Sequence, residues 1–391
     1  MLTEFQRKTT TSKLRKIAKN RMKKEGTDAW ILFTREGIQD PLSEEFGLSD
    51  VTWRSAGIIT SDDKNYAVVG SFETKLAEKS KIYDEIVGYG AEGAAEHLQK
   101  IARRQGFRKV AINESQDFGL ADGISASLKS YLRKSMRGVE LVSSEDFVID
   151  LRGRLLPQEI EKVRNSIKLT EELLDETQRV MIREGVSDRE IFEFIQKITV
   201  EAGAGFSWTG SSDPAVCVGT TPAQHFAYAN QKLKKGKLVR IDYGVSLEGY
   251  CSDIQRDYFL GSIPEKLEED FKVSRDACDA AIAALSPEAT GFEVDRAGRS
   301  IVVNAGFESF AHGLGHTLGR TAHEIGPILS PRWRQRYGHA MDRKIGKNVV
   351  LTIEPTVFST FGAINLEQDV LVDDNGKVEE LSKRANEIIS V

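Results

Sequence analysis

Short apolar runs alternate with amphipathic stretches along the first third of the chain. Ala29-Trp30-Ile31-Leu32-Phe33 is apolar without interruption, as expected of a buried strand. Residues 56–60 and 66–70 are strand-like and flank Ser61-Asp62-Asp63-Lys64, a turn-rich tetrad, which predicts a hairpin. Helical spacing over 91–105, a strand over 109–113, a helix over 120–134 and a last strand over 139–142 complete the alternation. Such a pattern predicts an α/β domain, placed at residues 1–152.

The pattern then changes. Residues 157–204 have helical spacing and many charges, interrupted at Gly185 and Ser187-Asp188. Ser187 is suited to cap a second helix. Beyond Phe206 strand-like runs return, with helices expected near 265–285 and 291–305. Residues 153–391 are therefore expected to form a second, larger domain led by a long helix.

Composition narrows the class of protein. A chain of 391 residues with 40% hydrophobic and 29% charged residues can bury a core without staples. Its formal charge of -5 disfavours a nucleic-acid binder, whose footprint would be basic. Three scattered cysteines, Cys217, Cys251 and Cys278, do not make a disulfide framework and suit a reducing compartment. The first residues carry no apolar leader, and no run is long enough to span a bilayer. A cytoplasmic protein, with neither nucleic acid nor membrane as partner, is the expectation.

Of six histidines, His97 alone lies in the first domain, so chemistry is expected in the second. Two strand-like segments there carry Asp242 and Asp253 around the link Val245-Ser246-Leu247-Glu248-Gly249. A turn over residues 246–249 would put the two carboxylates directly opposite each other, with Cβ atoms about 4.5–5.5 Å apart. A turn over residues 359–362 would make Glu354 and Glu367 a second facing pair, although Pro355 weakens that strand. Like charges facing across a sheet repel. Two such pairs, bordered by Val239, Ile241, Ile353 and Leu366, call for a cation. Oxygen ligands with a few imidazoles suit manganese, cobalt, iron or zinc, and four carboxylates fit two ions better than one. Spacing alone leaves solvated carboxylates at strand ends as an equal reading.

His312-Gly313-Leu314-Gly315-His316 holds two histidines four apart, and His323 follows. A lone histidine is more often a satisfied core or surface residue than a ligand, but three within a dozen positions favour a site. His225 is unremarkable by itself, and His97 and His339 carry no assignment.

Taken in order, the series runs His225, Asp242-Tyr243-Gly244, Tyr250, Ser252-Asp253, His312-Gly313-Leu314-Gly315-His316, His323, Thr352-Ile353-Glu354-Pro355 and Glu367. It resembles the pita-bread metallopeptidases, in the Xaa-Pro aminopeptidase and prolidase branch that includes creatinase, over essentially the whole chain. The resemblance implies a creatinase-like α/β N-terminal domain and an α+β pita-bread catalytic domain. It further implies that Asp242 binds one divalent ion and His316 another, that Asp253 and Glu367 bridge them, and that Glu354 binds an ion and orients the attacking water. His225, His312 and His323 would position a small peptide substrate and stabilise the tetrahedral intermediate. Two ions are implied, manganese or cobalt ahead of zinc or iron, together with cleavage of Xaa-Pro bonds and a homodimer.

Three departures stand out. Asn365 replaces the usual arginine two positions before the last ligand, Thr356 replaces a glycine, and Ile254-Gln255-Arg256-Asp257 replaces a threonine-rich stretch. They keep two alternatives in view: a hydrolase or lyase with another substrate on the same scaffold, or a catalytically silent member. Residues 327–347, rich in arginine and aromatics, are expected to be a solvated loop or a lid.

Overall fold

A computed structural model describes residues 2–62, 64–219 and 227–391. The chain divides into two compact units, Met1–Leu151 and Arg152–Val391. The first runs α1 (Glu4–Glu25), β1 (Ala29–Thr34), β2 (Ser55–Thr60), β3 (Tyr66–Gly70), α2 (Thr74–Ser80), β4 (Glu85–Tyr89), α3 (Ala94–Gln105), β5 (Lys109–Ile112), α4 (Ala126–Ser135), β6 (Glu140–Ser143) and α5 (Glu145–Val148).

Six strands form one sheet in the order β4-β3-β2-β1-β5-β6. Strand β1, buried at every position, lies between antiparallel β2 and parallel β5. The expected hairpin pairs Ala56 with Val68 and Ile58 with Tyr66. The helix expected over 120–134 begins only at Ala126, because the Ser125 side chain accepts a hydrogen bond from Leu128 N–H and caps it there.

Helix α1 had no counterpart in the hydrophobic pattern. Its buried residues include Gln6, Thr9, Thr10 and Lys13 beside Leu14, Ile17, Ala18 and Met22, so no clean apolar stripe marks it. Lys13 Nζ donates to the Leu151 carbonyl, and Arg21 pairs with Asp150 at 2.6 Å and Asp146 at 3.2 Å. These partners satisfy polar groups that burial would otherwise penalise.

The second unit opens on α6 (Pro157–Met181) and α7 (Asp188–Glu201). Ser187 caps α7 as expected: its Oγ accepts from Glu190 N–H, and Glu190 accepts from Ser187 N–H at 2.8 Å. There follow β7 (Gly205–Phe206), β8 (Ala215–Val218), β9 (Leu238–Tyr243), β10 (Val245–Leu247), β11 (Tyr250–Cys251), β12 (Ile254–Phe259), α8 (Glu265–Ala284) and α9 (Gly291–Asn304). The chain ends with β13 (Gly315–Leu318), β14 (Glu324–Leu329), α10 (Arg334–Tyr337), β15 (Val349–Ile353), β16 (Thr356–Ser359), β17 (Gly362–Asn365), β18 (Gln368–Val372), β19 (Val378–Glu380) and β20 (Ile389–Ser390).

Among the described residues, β20-β12-β9-β8 and β14-β13-β15-β18-β19 are the larger sheets of this unit, with β11-β10-β7 and the β16-β17 hairpin beside them. A core of Leu267, Phe271 and Cys278 from α8, Val294 and Val302 from α9, and Val349, Leu351, Ile353, Val370 and Val372 from the strands backs the second sheet. None of the helices described is long and apolar enough to cross a membrane.

Ser187→Ala should remove the cap of α7 at a cost of about 1 kcal/mol. The urea midpoint should fall with the slope unchanged, and an unmoved midpoint would dismiss the cap as a stabilising contact.

Candidate metal centre

Hairpin geometry decides which acidic side chains can meet. The link after β9 turns tightly at Glu248 and Gly249, both with positive φ, 53° and 81°. Two such residues form the turn whose twist matches paired strands. Ser246 therefore faces Cys251, and Asp242 faces Gln255, not Asp253 as expected from a turn placed one residue earlier, over 246–249. Asp253 lies in the break between β11 and β12.

The second hairpin holds its predicted register. Ser359 faces Gly362, Thr356 faces Asn365, and Ile353 faces Gln368. Glu354 and Glu367 occupy corresponding places between those pairs, where Pro355 interrupts the first strand. Glu354 N–H donates instead to the Leu314 carbonyl, 2.7 Å away.

His316 enters from β13. Its Nε2 lies 3.7 Å from Asp253 Oδ2 and 3.6 Å from Glu354 Oε1. Ligand atoms of Asp253, His316 and Glu367 all lie within 4.8 Å of one another. Close packing makes this approach possible. A Cβ at Gly315 would sit 2.0 Å from the Thr352 carbonyl oxygen, and one at Gly244 would sit 2.1 Å from that of Ser252. Both glycines therefore let backbone meet backbone where a ligand-bearing strand passes its neighbour.

The electrostatics are those of a crowded acidic cluster. Burial raises the Asp253 and Glu367 carboxyls well above the usual carboxylate range. The charge of Glu367 adds to the effect at Asp253, and that of Glu354 at Glu367. Burial, then Asp242, pushes Glu354 to about 8. His316 is driven well below its ordinary value by burial, with His323 adding to the shift, so it is a neutral imidazole. Glu367 Oε2 is buried without a hydrogen-bond partner. An orphaned carboxylate oxygen beside two further carboxylates and a neutral imidazole is a donor set that fits a divalent cation.

Sequence reasoning missed two acidic residues here. Asp369 is fully buried, its Oδ2 accepts from Asp253 N–H at 3.4 Å, and its Oδ1 has no partner. Asp213 accepts from the main-chain N–H groups of Ser207 and Gly244, the residue that follows Asp242-Tyr243. Burial raises both carboxyls. A buried aspartate after a strand has no periodic signature, but Asp369 two residues past Glu367 on β18 was open to the same facing-residue argument.

The accompanying histidines differ in setting. His323 is exposed and its ring lies 4.3 Å from that of His316. His312 Nδ1 is 2.7 Å from the Gly313 carbonyl and its Nε2 is 2.8 Å from Thr356 Oγ1. Burial lowers its pKa to about 4. In the neutral ring Nδ1 then carries the proton and Nε2 accepts from the Thr356 hydroxyl, which gives the unusual threonine a partner. His225 lies outside the described residues. The segment after β14 is tied down: Arg332 and Arg334 pair with Asp342 at 3.0 and 2.7 Å, and Arg336 donates to the carbonyl of Ala311, beside His312.

Comparison with known proteins identifies the family and the fold. The sequence model of metallopeptidase family M24 matches residues 161–374. A Bacillus subtilis relative, provisionally named a dipeptidase, is 29% identical over 327 residues, 82% of this chain and 84% of its own. A Mycoplasma pneumoniae relative, provisionally named an Xaa-Pro aminopeptidase, is 32% identical over 234 residues, 59% of this chain and 62% of its own. The solved Xaa-Pro dipeptidase from Bacillus anthracis matches with a TM-score of 0.74 at 21% identity, over 97% of this chain and 100% of that one. At that identity the likeness establishes the fold, which is the α/β plus pita-bread architecture that the motif series implied.

The raised carboxyls set a pH dependence. In the metal-free protein the native state holds protons that the unfolded chain releases. Stability should therefore fall as pH rises from the ordinary glutamate value of 4.5 through about 8, the range of Glu354. Thermal melts of chelator-treated protein should follow this slope. Added divalent metal, which favours the ionised carboxylates, should flatten or reverse it. Identical profiles with and without metal would contradict the assignment.

Proposed function

Because the chain belongs to metallopeptidase family M24, we propose that it is an exopeptidase hydrolysing Xaa-Pro peptide bonds, with two divalent ions held by Asp242, Asp253, His316, Glu354 and Glu367. The observation that carries this reading is the meeting of Asp253, His316 and Glu367 within 4.8 Å, with one Glu367 oxygen buried and unpartnered. Asp242 and Glu354 join the set through the charge interactions that raise Asp253 and Glu367. Preference for Xaa-Pro bonds is supported by the names of the Mycoplasma pneumoniae relative and the Bacillus anthracis neighbour.

Divalent ions at such a site supply Lewis acidity, which acidifies a water and polarises a scissile carbonyl. The protein's own groups then manage protons and position. Glu354 receives the proton of the attacking water and passes it to the leaving amine. Exposed His323, beside His316, is the imidazole that meets the substrate and the developing oxyanion. Neutral His312 presents a lone pair at Nε2, so it orients through Thr356 unless that hydrogen bond opens. His225 is assigned a substrate-positioning role on motif resemblance alone.

The test is a panel of Xaa-Pro dipeptides, longer Xaa-Pro peptides and Xaa-Ala counterparts, assayed with metal-stripped protein reloaded with manganese, cobalt, zinc or iron. Xaa-Pro substrates should be cleaved only by the reloaded protein. Asp253→Asn should lower turnover by at least about 100-fold with an unchanged circular dichroism spectrum. Equal cleavage of Xaa-Ala peptides would overturn the specificity, and full activity of Asp253→Asn would overturn the ligand set.

A further inference from the structure

Strand β9 carries a second side chain on the face that bears Asp242. Residues two apart on a strand share a face, so Arg240 points to the same side as Asp242. Its neighbours across the sheet are Cys217 on β8 and Asp257 on β12. All three polar members of the group formed with β17 are buried: Arg240 is 6% exposed, Asp257 5% and Asn365 7%.

The contacts of this group converge on Asn365. Arg240 Nη1 donates to Asn365 Oδ1 at 2.6 Å, and Arg240 Nη2 approaches Cys217 Sγ at 3.6 Å. Asp257 Oδ2 accepts from Asn365 N–H at 3.0 Å. Asn365 is thus held by its side chain from one strand and by its main chain from another. It is also the last residue of β17, and Glu367 follows two positions later, outside any strand. On the far side Gln368 restarts the ladder opposite Ile353, and Arg256 Nη1 holds the Glu367 carbonyl at 3.0 Å. The approach of the chain to Glu367 is therefore governed by the hold on Asn365.

We propose that Arg240 is a positioning residue of the metal centre: with Asp257 it clamps Asn365, and so fixes the Glu367 carboxylate against Asp253 and His316. This inference rests on the metal-dependent reading above. It accounts together for Asn365, where an arginine was expected, and for Asp257 in place of a hydroxyl residue. The cation at this place is supplied from β9, and the aspartate opposite it on β12 holds the Asn365 main chain. An arginine keeps that charge even when buried. Asn365 on this view is one half of an exchanged pair and no sign of a decayed site.

The experiment measures Mn²⁺ binding by calorimetry on the metal-stripped full chain, alongside thermal melts and steady-state kinetics on an Xaa-Pro peptide. Arg240→Asn should weaken Mn²⁺ binding by about 10- to 100-fold, the usual effect of losing a group that orients a ligand. The exchange variant, Arg240→Asn with Asn365→Arg, should return affinity to within a few-fold of the parent, because the guanidinium again faces Asp257. If Arg240→Asn does not fold, Asn365→Ala carries the same expectation, since it removes the acceptor and leaves Arg240 and Asp257 in place. A parent chain that binds Mn²⁺ while the single variants bind it equally tightly would overturn the clamp alone. Lower melting temperatures with unchanged Mn²⁺ affinity would reduce Arg240 to a structural residue and also overturn it. A parent chain that binds no Mn²⁺, Co²⁺, Zn²⁺ or Fe²⁺ would overturn the metal-dependent reading, and the clamp with it.

Discussion

Negative charge brought together in a buried place is the constraint on which the second unit turns. Asp253 and Glu367 are 6% and 1% exposed, and Asp369 is fully buried. Each raises the cost of ionising its neighbours. A cluster of this kind is tolerated in a fold when protons or cations neutralise it. Protons suffice at low pH, but near neutrality the arrangement is best explained by divalent ions, and the orphaned Glu367 oxygen marks where one would bond.

The fold serves that constraint by bringing strand ends and breaks together. Asp253 lies in the gap between β11 and β12, and Glu354 at the Pro355 interruption of a strand. Only His316 and Asp242 lie within strands, and both are reached by close backbone approaches at glycine. Breaks free a carboxylate from the alternation of the sheet and let it turn toward a common centre. The surrounding ladders and the aliphatic core beneath β13, β15 and β18 keep those breaks in place.

Departures from the family pattern acquire partners once the chain is folded. Thr356 bonds to His312, Gln255 reaches Glu354 at 3.5 Å, and Asn365 receives Arg240. A substitution that looks like loss in a linear motif is here accompanied by a second residue, distant in sequence, that meets it. This favours a working site over a silent one.

The sequence by itself determined the alternation of the first unit, the capped helix α7 and the order of the site residues. Those features rest on local periodicity, on side chains capping their own backbone, or on residue types at fixed spacing. It also yielded the register of Glu354 and Glu367, because the turn at residues 360–361 sets one register that the pairs on both sides of the Pro355 break keep. Only the tertiary structure decided the rest. Asp242 and Asp253 do not face each other, since the left-handed pair Glu248-Gly249 shifts the register. Helix α1 buries polar residues that need partners remote in the chain, so no apolar stripe could reveal it. Asp213 and the Arg240 clamp are visible only when β8, β9, β12 and β17 lie together. Hydrogen bonds between distant strands depend on three-dimensional packing, and that packing leaves no period in the sequence.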